Sequence, residues 1–600
     1  MQLRLESRGD LRMRDKDISQ SNIMTKVFNE MLFIQIMAVI TATIGSVVDG
    51  VITSNFLGRD AMAAFSISMP FFIFLSCFSN MVGNGAQSLS GKLLGKGEKE
   101  SVNGLFSLTI ISICIFGLIV FILAFLFDNQ IAVLLGADAQ TKEDVAAYIR
   151  GLSFGALPIM LNGPIIRFLQ LDKAQKFSFL GVIVMTVTNI SGDLLNVFVF
   201  KKGMFGMAFA TSVGYYAAVI LLVTHFFSSK SELTFAVAKA KFKDLKDIII
   251  IGLPTAISQI CVALRSLCLN RIFLTLSGTL FVAAYAGQNT VSTLLDSVSL
   301  GFGMTTLLIS SVLVGEEDRT SLTKTVKESL KTSLLINVTI AVLVIIGADF
   351  LASLFSKGDL ETRNISARIL RIYACGLPIS VVIINLQNFF QSIKKTFLVN
   401  AICVLHDFVF VVGYALLLPR IAGKDTVWFL FPAAQVTTLL LIVIISIVHN
   451  KGIPKSFEEF LMLDEGFGVS AENRLDISIS DLKGVIGVSE AVHNFCRSHQ
   501  MDKTKSFFAA LSIEEMAGNI VLHGFEKDKK NIIELRVAIK DDRIKIRIRD
   551  NCKNFNPEDH IRNLTDEDMT HNIGIRLISK RAENFKYQST FNLNVLTIIL

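Results

Sequence analysis

Long apolar runs are the feature of this sequence that most restricts its fold. Twelve such runs occupy most of the first 450 positions, and each approaches the roughly 20 residues that an α-helix needs to cross a bilayer. They start near residues 31, 64, 105, 149, 177, 205, 247, 280, 333, 370, 397 and 427. We therefore predict an all-α polytopic membrane region of twelve transmembrane helices, with one or two buried or re-entrant helices as the alternative.

Charged residues between the runs predict which loops face the cytoplasm. Lys and Arg gather in alternate loops, such as those with Lys92 and Lys96 and with Lys394 and Lys395, whereas the opposite loops are acidic or nearly uncharged. By the positive-inside rule the basic loops are cytoplasmic. An even number of spans then places both termini in the cytoplasm of a multi-pass plasma (cytoplasmic) membrane protein.

The distribution of charge also divides the chain into domains. Hydrophobic residues make up 52% and charged residues 18% of the 600 positions, but charges recur every few residues after Lys451. The net charge of +7 lies mostly in the short loops, so topology explains it and no nucleic-acid partner is predicted. The predicted segments are a cytoplasmic N-terminal segment (1–28), a first lobe (29–228), a second lobe (229–450), a linker (451–469) and a cytoplasmic domain (470–600).

The two predicted lobes are related by an internal repeat. Shifting the first half along the second by 220 residues aligns Ala63 with Ala283, Gly83 with Gly303, Gly95 with Gly315 and Pro158 with Pro378. Six spans per repeat make both halves enter the membrane from the same side. This arrangement is typical of a two-lobed transporter with a central cavity.

Few polar residues lie within the apolar runs, and each is a functional candidate because ionisable groups are costly at membrane depth. In the first lobe they are Asp49 in the first span, Asn189 and Asp193 in the fifth and Thr211 in the sixth. Asn189 and Asp193 are four residues apart and share a helix face. Such groups can bind a proton or a sodium ion. The alternatives are an interfacial Asp49 and a helix-packing hydrogen bond in the fifth span.

In the second lobe the polar residues are more scattered, and we predict no equivalent cluster there. They are Arg265, Asn270, Arg271, Asp296 and Asp407. His406 beside Asp407 is interpreted as helix packing or an interfacial pair. Ion coupling is therefore expected in the first lobe.

The membrane part resembles the multidrug and toxic compound extrusion (MATE) family. The resemblance covers about residues 25 to 450 and rests on Asp49, Asn55 and Gly58 followed by AMAAF, on the loop NGAQSLSGKLLGKGE, and on NISGDLLNVFVFKKGMFGMAFAT. It implies antiport of protons or sodium against organic, often cationic, drug-like compounds. It also implies a coupling site in the first lobe, formed by Asp49, Asn189, Asp193 and Thr211. The segment LQLDKAQK departs from the family pattern after the fourth helix.

After residue 470 the periodicity predicts short strands and amphipathic helices, hence an α/β sandwich. RLDISIS is a predicted edge strand, NIIELRVAIK and RIKIRIRD form a predicted hairpin that turns at Asp541 and Asp542, and LNVLTIIL is a predicted closing strand. Glu515, Asn519 and His523 recur every four residues and would share one helix face. They could hold magnesium and activate a hydroxyl group, or form an ordinary solvated face.

This tail resembles the GHKL (histidine-kinase-like) ATPase fold, and most closely the anti-sigma-factor serine kinases. The similarity lies in EEMAGNIVLHGF, RDNCKNFNP and HNIGIRLI. It implies ATP and Mg²⁺ as cofactors, with Glu515 as general base, Asn519 as magnesium ligand, His523 and Asp550 at the ATP site and Gly574 in the phosphate-binding lid. Cys552, Asn554 and Asn572 stand where the family usually has glycine.

Three functions fit these residues. The first is a secondary efflux antiporter regulated by its nucleotide-binding domain, with a small organic substrate, the lipid bilayer and a cytoplasmic regulatory protein as partners. The second is a membrane-anchored serine kinase or sensor. The third is a flippase for amphipathic lipid-linked substrates, which would need a more cationic cavity than Arg265 and Arg271 provide. Primary ATP-driven pumping is not expected, because the sequence has no G-x4-GK[ST] loop.

Overall fold

A computed structural model describes residues 23–229, 231–355, 360–464, 466–479, 481–526, 531–558, 573–591 and 593–600. Eleven helices in these ranges are long and apolar enough to cross a membrane, and a pair bent by 50° gives twelve when it is counted as one span. The predicted fold class is confirmed: a polytopic helical region is followed by a small antiparallel sheet with helices.

The first lobe contains helices α1 to α6. Their bounds are Ile23–Leu57 (α1), Arg59–Gly95 (α2), Lys99–Leu126 (α3), the bent pair Lys142–Ser153 and Ala156–Leu171 (α4), Gln175–Phe200 (α5) and Gly203–Phe227 (α6). The second lobe contains α7 to α12. Their bounds are Phe242–Ser277 (α7), Thr279–Gly315 (α8), Arg319–Phe355 (α9), Leu360–Ser392 (α10), Thr396–Ala422 (α11) and Leu430–His449 (α12).

The two lobes meet through glycines that bring helix backbones into direct contact. A Cβ atom at any of these glycines would lie about 2 Å from a main-chain oxygen of the other lobe: 2.0 Å for Gly85 and Ile248, 1.9 Å for Gly252 and Met81, 2.2 Å for Gly95 and Val312, and 2.1 Å for Gly315 and Lys92. All four contacts lie in the halves of α2, α7 and α8 nearest the C-terminal domain. The lobes are therefore closed on that side, which we call the domain side.

The C-terminal domain begins with strand β1 (Arg474–Ile479) and is built on one five-stranded sheet in the order β1-β2-β3-β5-β4, with every pair antiparallel. The other elements are α13 (Leu482–Ser498), α14 (Lys503–Asn519), β2 (Ile533–Lys540), β3 (Arg543–Asp550), α15 (Ile573–Arg581), β4 (Asn584–Thr590) and β5 (Leu593–Ile599). The two longer helices start at Asp481 and Asp502, whose carboxylates accept main-chain hydrogen bonds as N-caps.

The predicted hairpin is confirmed, because β2 and β3 pair around Asp541 and Asp542, which both have positive φ (51° and 57°). Two residues in this conformation match the right-handed twist of the flanking strands. Side chains then alternate between the two faces of the sheet. Leu535 and Ile548 face each other across the hairpin within the domain's own hydrophobic core, whereas Arg536 pairs with Arg547 on the opposite face.

We predict that Gly252→Ala destabilises the closed arrangement by about 1–3 kcal/mol, because the new methyl group would overlap the Met81 carbonyl group. The measurement is the apparent melting temperature of the purified full-length protein in detergent. Gly347→Ala is the matched control, since it lies within α9 and a Cβ there meets no atom within 4 Å. Equal melting temperatures for the two variants would contradict the proposed role of the glycine contacts.

Candidate functional site

Three polar residues of the first lobe form one hydrogen-bonded cluster. The amide nitrogen Nδ2 of Asn189 donates to Oδ1 of Asp49 at 2.8 Å and to Oδ2 of Asp193 at 3.1 Å. Asn189 and Asp193 lie one turn apart on α5, and Asp49 comes from the neighbouring α1. The side chain of Asp193 is fully buried. A single amide thus bridges two carboxyl groups from different helices.

Both helices change geometry just after this cluster. α1 ends in a π-helical turn at Thr53–Leu57, and α5 ends in another at Asn196–Phe200. The hydroxyl group of Thr53 donates to the main-chain oxygen of Asp49 at 2.8 Å. π-turns within long helices are frequent at functional sites because they displace side chains from the regular spacing.

A cavity opens beside the cluster and has aromatic walls. Phe65 packs edge-on against Tyr148 with ring centroids 5.7 Å apart, and Phe72 lies 6.5 Å from Tyr215. The full lining is Ala42, Gly45, Ser46, Asp49, Phe65, Met69, Phe72, Tyr148, Met185, Thr186, Asn189, Thr211 and Tyr215. These aromatic residues were not among the predicted site residues. The one sequence signal for this aromatic wall was that two tyrosines occur within otherwise apolar spans.

The predicted fourth residue, Thr211, lines this cavity but does not bond to either carboxylate. Its hydroxyl group donates to the main-chain oxygen of Met207 at 3.3 Å. Within the described ranges, neither Asp49 nor Asp193 forms an ion pair with a basic side chain, and Oδ1 of Asp193 and Oγ1 of Thr186 are buried without a hydrogen-bond partner. The site therefore has negative groups and oxygen atoms available for a proton or a small cation.

The acidic residues of the second lobe lie in two separate hydrogen-bonded groups. Asp407 accepts a hydrogen bond from the hydroxyl group of Ser258 at 2.5 Å and contacts Nδ1 of His406 at 2.7 Å. Asp296 accepts from the hydroxyl group of Tyr373 at 2.7 Å. Each group contains one carboxylate, so neither repeats the two-carboxylate arrangement of the first lobe, and the absence of an equivalent cluster stays a prediction. The hydroxyl groups that complete these two groups come from neighbouring helices and were not predicted.

In the C-terminal domain, α14 carries two of the three predicted site residues. Glu515 and Asn519 are half-buried, but a π-helical turn at Ile520–Gly524 replaces the α-helix directly after Asn519 and leaves His523 exposed. The turn changes the spacing on which the prediction of one continuous face depended. Glu515 lies against the start of α15, where a Cβ at Gly574 would be 2.1 Å from its carboxyl carbon. Glycine at 574 therefore permits this close approach.

Asp550, the predicted adenine-reading carboxylate, is buried at the end of β3. Its Oδ1 accepts from Nδ2 of Asn594 at 2.8 Å and from the main-chain nitrogen of Cys552 at 2.9 Å. The hydroxyl group of Tyr587 donates a hydrogen bond to Oδ1 of Asn594. Burial, and next the nearby charge of Asp550, raise the pKa of this tyrosine. β4, with Tyr587, was not predicted, because NFKYQST lacks a clear apolar alternation. The predicted departure at Asn572 lies outside the described residues.

The loop after β3 connects Asp550 to the helix that carries Glu515. The main-chain nitrogen of Lys553 donates to the oxygen of Gly524 at 2.9 Å, so the end of α14 and this loop are held together. Within the described ranges, no three His, Cys, Asp or Glu side chains form a metal-binding group. Magnesium in nucleotide sites commonly takes only one or two protein ligands, the rest being phosphate and water oxygens.

Comparison with known proteins identifies the family of the membrane region. The family model MatE matches residues 35–195 and 254–413, which together are more than half of the chain. The chain belongs to the MatE family. A second model, the histidine kinase-like ATPase domain, matches residues 478–600. The resemblances found in both parts of the sequence are thus confirmed.

Similar proteins include the multidrug export protein MepA of Staphylococcus aureus, which is 27% identical over 43% of this MatE chain and 58% of MepA. The match therefore spans little more than half of that relative. The probable multidrug resistance protein YoeA of Bacillus subtilis is 27% identical over 55% of this chain and 73% of its own.

Solved structures support the fold of the membrane region. A MOP superfamily transporter from Pyrococcus furiosus superposes with a TM-score of 0.66 at 20% identity, covering 70% of this chain and 94% of that one. The MATE transporter VcmN of Vibrio cholerae also gives 0.66, at 17% identity with the same coverage.

Proposed function

We propose that this MatE-family chain is a secondary antiporter of the plasma membrane that exports organic cations in exchange for protons or sodium ions. The observation that carries the proposal is the Asp49–Asn189–Asp193 cluster at the edge of an aromatic cavity. Relatives named multidrug export or multidrug resistance proteins support the substrate class. The basic loops support a cytoplasmic location for both termini, so that the domain side faces the cytoplasm.

The cluster is suited to exchanging one cation for another. Two neighbouring carboxyl groups in a lobe surrounded by lipid do not easily both carry a negative charge. They are more stable when one bound proton is shared between them. A sodium ion could use the same oxygens together with the hydroxyl groups of Thr186 and Thr211. Binding of the coupling ion and of a cationic substrate would then compete for the same negative charge.

The cavity walls favour organic cations. Aromatic rings attract cations through their faces, and a carboxylate at the end of the cavity adds charge complementarity. Phe65, Phe72, Tyr148 and Tyr215 supply the rings, and Asp49 supplies the carboxylate. Because the lobes are closed on the domain side, we assign this arrangement to the outward-facing stage of alternating access.

We further propose that the C-terminal domain binds ATP and regulates transport. Asp550 would hold the adenine, Asn519 the magnesium ion, and Glu515 and Gly574 would border the phosphates. Bound ATP with magnesium supplies a phosphoryl group that a partner protein could accept. The close approach of Gly574 to Glu515 supports this site, because it brings the start of α15, the expected phosphate-binding lid, against the expected general base.

The antiport proposal predicts that Asp49→Asn and Asp193→Asn each reduce gradient-driven efflux by about tenfold or more, because a neutral amide cannot exchange a proton. Efflux of a fluorescent organic cation from proteoliposomes is measured with a proton gradient and, separately, with a sodium gradient. Asp138→Asn is the matched control, because Asp138 lies in an exposed loop on the side of the membrane region away from the C-terminal domain. Efflux that persists in both cluster variants would refute the proposal.

For the nucleotide site, we expect Gly574→Ala to weaken binding of a fluorescent ATP analogue by the full-length protein about tenfold, because the methyl group displaces Glu515. Gly487→Ala on α13 is the control, since a Cβ there meets no atom within 4 Å. Unchanged affinity in Gly574→Ala, or no binding by the wild type, would rule out the assigned site.

A further inference from the structure

The sheet face opposite α13 and α14 carries a buried ion-pair cluster with the membrane region. Arg547 donates from Nη1 to Oε2 of Glu316 at 2.6 Å and from Nη2 to Asp318. Arg549 also donates to Glu316, and Arg536 donates to Asp318. Three arginines from two paired strands thus enclose Glu316 and Asp318, two of the three carboxylates in the loop between α8 and α9.

Burial makes this cluster more than a surface contact. The side chain of Asp318 is 0% exposed and that of Arg549 is 1% exposed. Burial alone would raise the pKa of Asp318, but Arg547, Arg536 and Arg549 outweigh it and hold that pKa well below its usual range. Removing one side of a buried pair leaves an uncompensated charge and is strongly unfavourable. The cluster therefore anchors the sheet firmly to the second lobe.

The anchored loop lies next to the contact that closes the lobes. Glu316 directly follows Gly315, the last residue of α8, whose backbone touches Lys92 of the first lobe. Arg319 at the start of α9 pairs with Glu458 of the linker at 2.8 Å, which attaches the linker to the same end of the second lobe.

The same domain also reaches the first lobe. Glu534 on β2 accepts from the main-chain nitrogen of Ile23, the first described residue of α1, at 2.9 Å. Lys586 on β4 packs on Gly97, in the loop between α2 and α3, where a Cβ would lie 3.1 Å from the lysine Cδ. At the turn between β4 and β5, Phe591 and Leu593 join the hydrophobic core of the membrane region. One rigid sheet therefore contacts both lobes across their closed side.

We propose that the C-terminal domain is a clamp, anchored on the second lobe by Arg536, Arg547 and Arg549 and holding the first lobe, which keeps the domain-side gate closed. This inference rests on the proposed regulatory function and gives it a structural basis. Opening of the gate separates α2 from α8, so the sheet must release one of the lobes first. The interaction surface is the arginine-bearing sheet face, and its partner is the acidic loop 316–318 of the same chain.

The test measures the separation of the lobes in the full-length protein in nanodiscs. Fluorophores are attached through unnatural amino acids at positions 96 and 394, which are exposed on the domain side of the first and second lobes. We expect the Arg547→Gln/Arg549→Gln variant to increase the population with a long inter-dye distance about tenfold or more. Arg543→Gln is the control, because Arg543 lies on the same strand but pairs with Glu583 at the exposed end.

A second variant keeps the test valid if the domain folds poorly without its arginines. Glu316→Gln/Asp318→Asn changes only the loop and should open the gate to the same extent, while all four substitutions together should add little more. Unchanged distances in both double variants would overturn the clamp. The distance measurement needs no substrate, so it tests the clamp separately from antiport. If efflux depends on Asp49 but the inter-dye distances do not change in the variants, the clamp alone is refuted. If the distances increase as expected but the wild type shows no efflux, antiport alone is refuted.

Discussion

A carboxyl group buried at membrane depth has no water to bond with, so its hydrogen-bond partners must come from the protein. This constraint determines how the helices of the first lobe pack. Asp49 and Asp193 come from different helices and are joined by one amide, so the positions of α1 and α5 depend on each other. The available oxygen atoms beside them would favour a proton or metal cation entering the site. A change in the charge of this cluster would alter how the two helices pack.

α1 links the cluster to the other functional parts of the chain. It carries Asp49 near one end, and in its middle Thr43 bonds to Ser297 of α8 at 2.9 Å and Ile36 packs closely on Gly301. At its other end, Ile23 bonds to Glu534 of the sheet. A shift of this helix on ion binding would therefore act on the inter-lobe contact and on the C-terminal domain together.

Local patterns in the sequence were sufficient to predict the helices and the β2–β3 hairpin. The spacing of Asn189 and Asp193 likewise predicted one helix face, because both residues belong to one α-helix. Contacts between distant positions left no such signal. Arg547 and Glu316 are 231 positions apart, and the sequence predicts one as part of a strand and the other as part of a loop, with nothing to indicate that they pair. The hydroxyl partners of Asp407 and Asp296 were not predicted for the same reason, since Ser258 and Tyr373 come from distant helices.

In the proposed antiport, substrate and coupling ion compete for the Asp49–Asn189–Asp193 cluster. The most direct measurement is proton uptake or release when an organic cation binds to the purified full-length protein in weakly buffered detergent, with sodium titrated in parallel. Competition predicts that the wild type releases protons on binding the cation, or binds it more weakly as sodium rises, and that Asp193→Asn shows neither effect. Tight cation binding by the wild type with no proton release and no effect of sodium would contradict it.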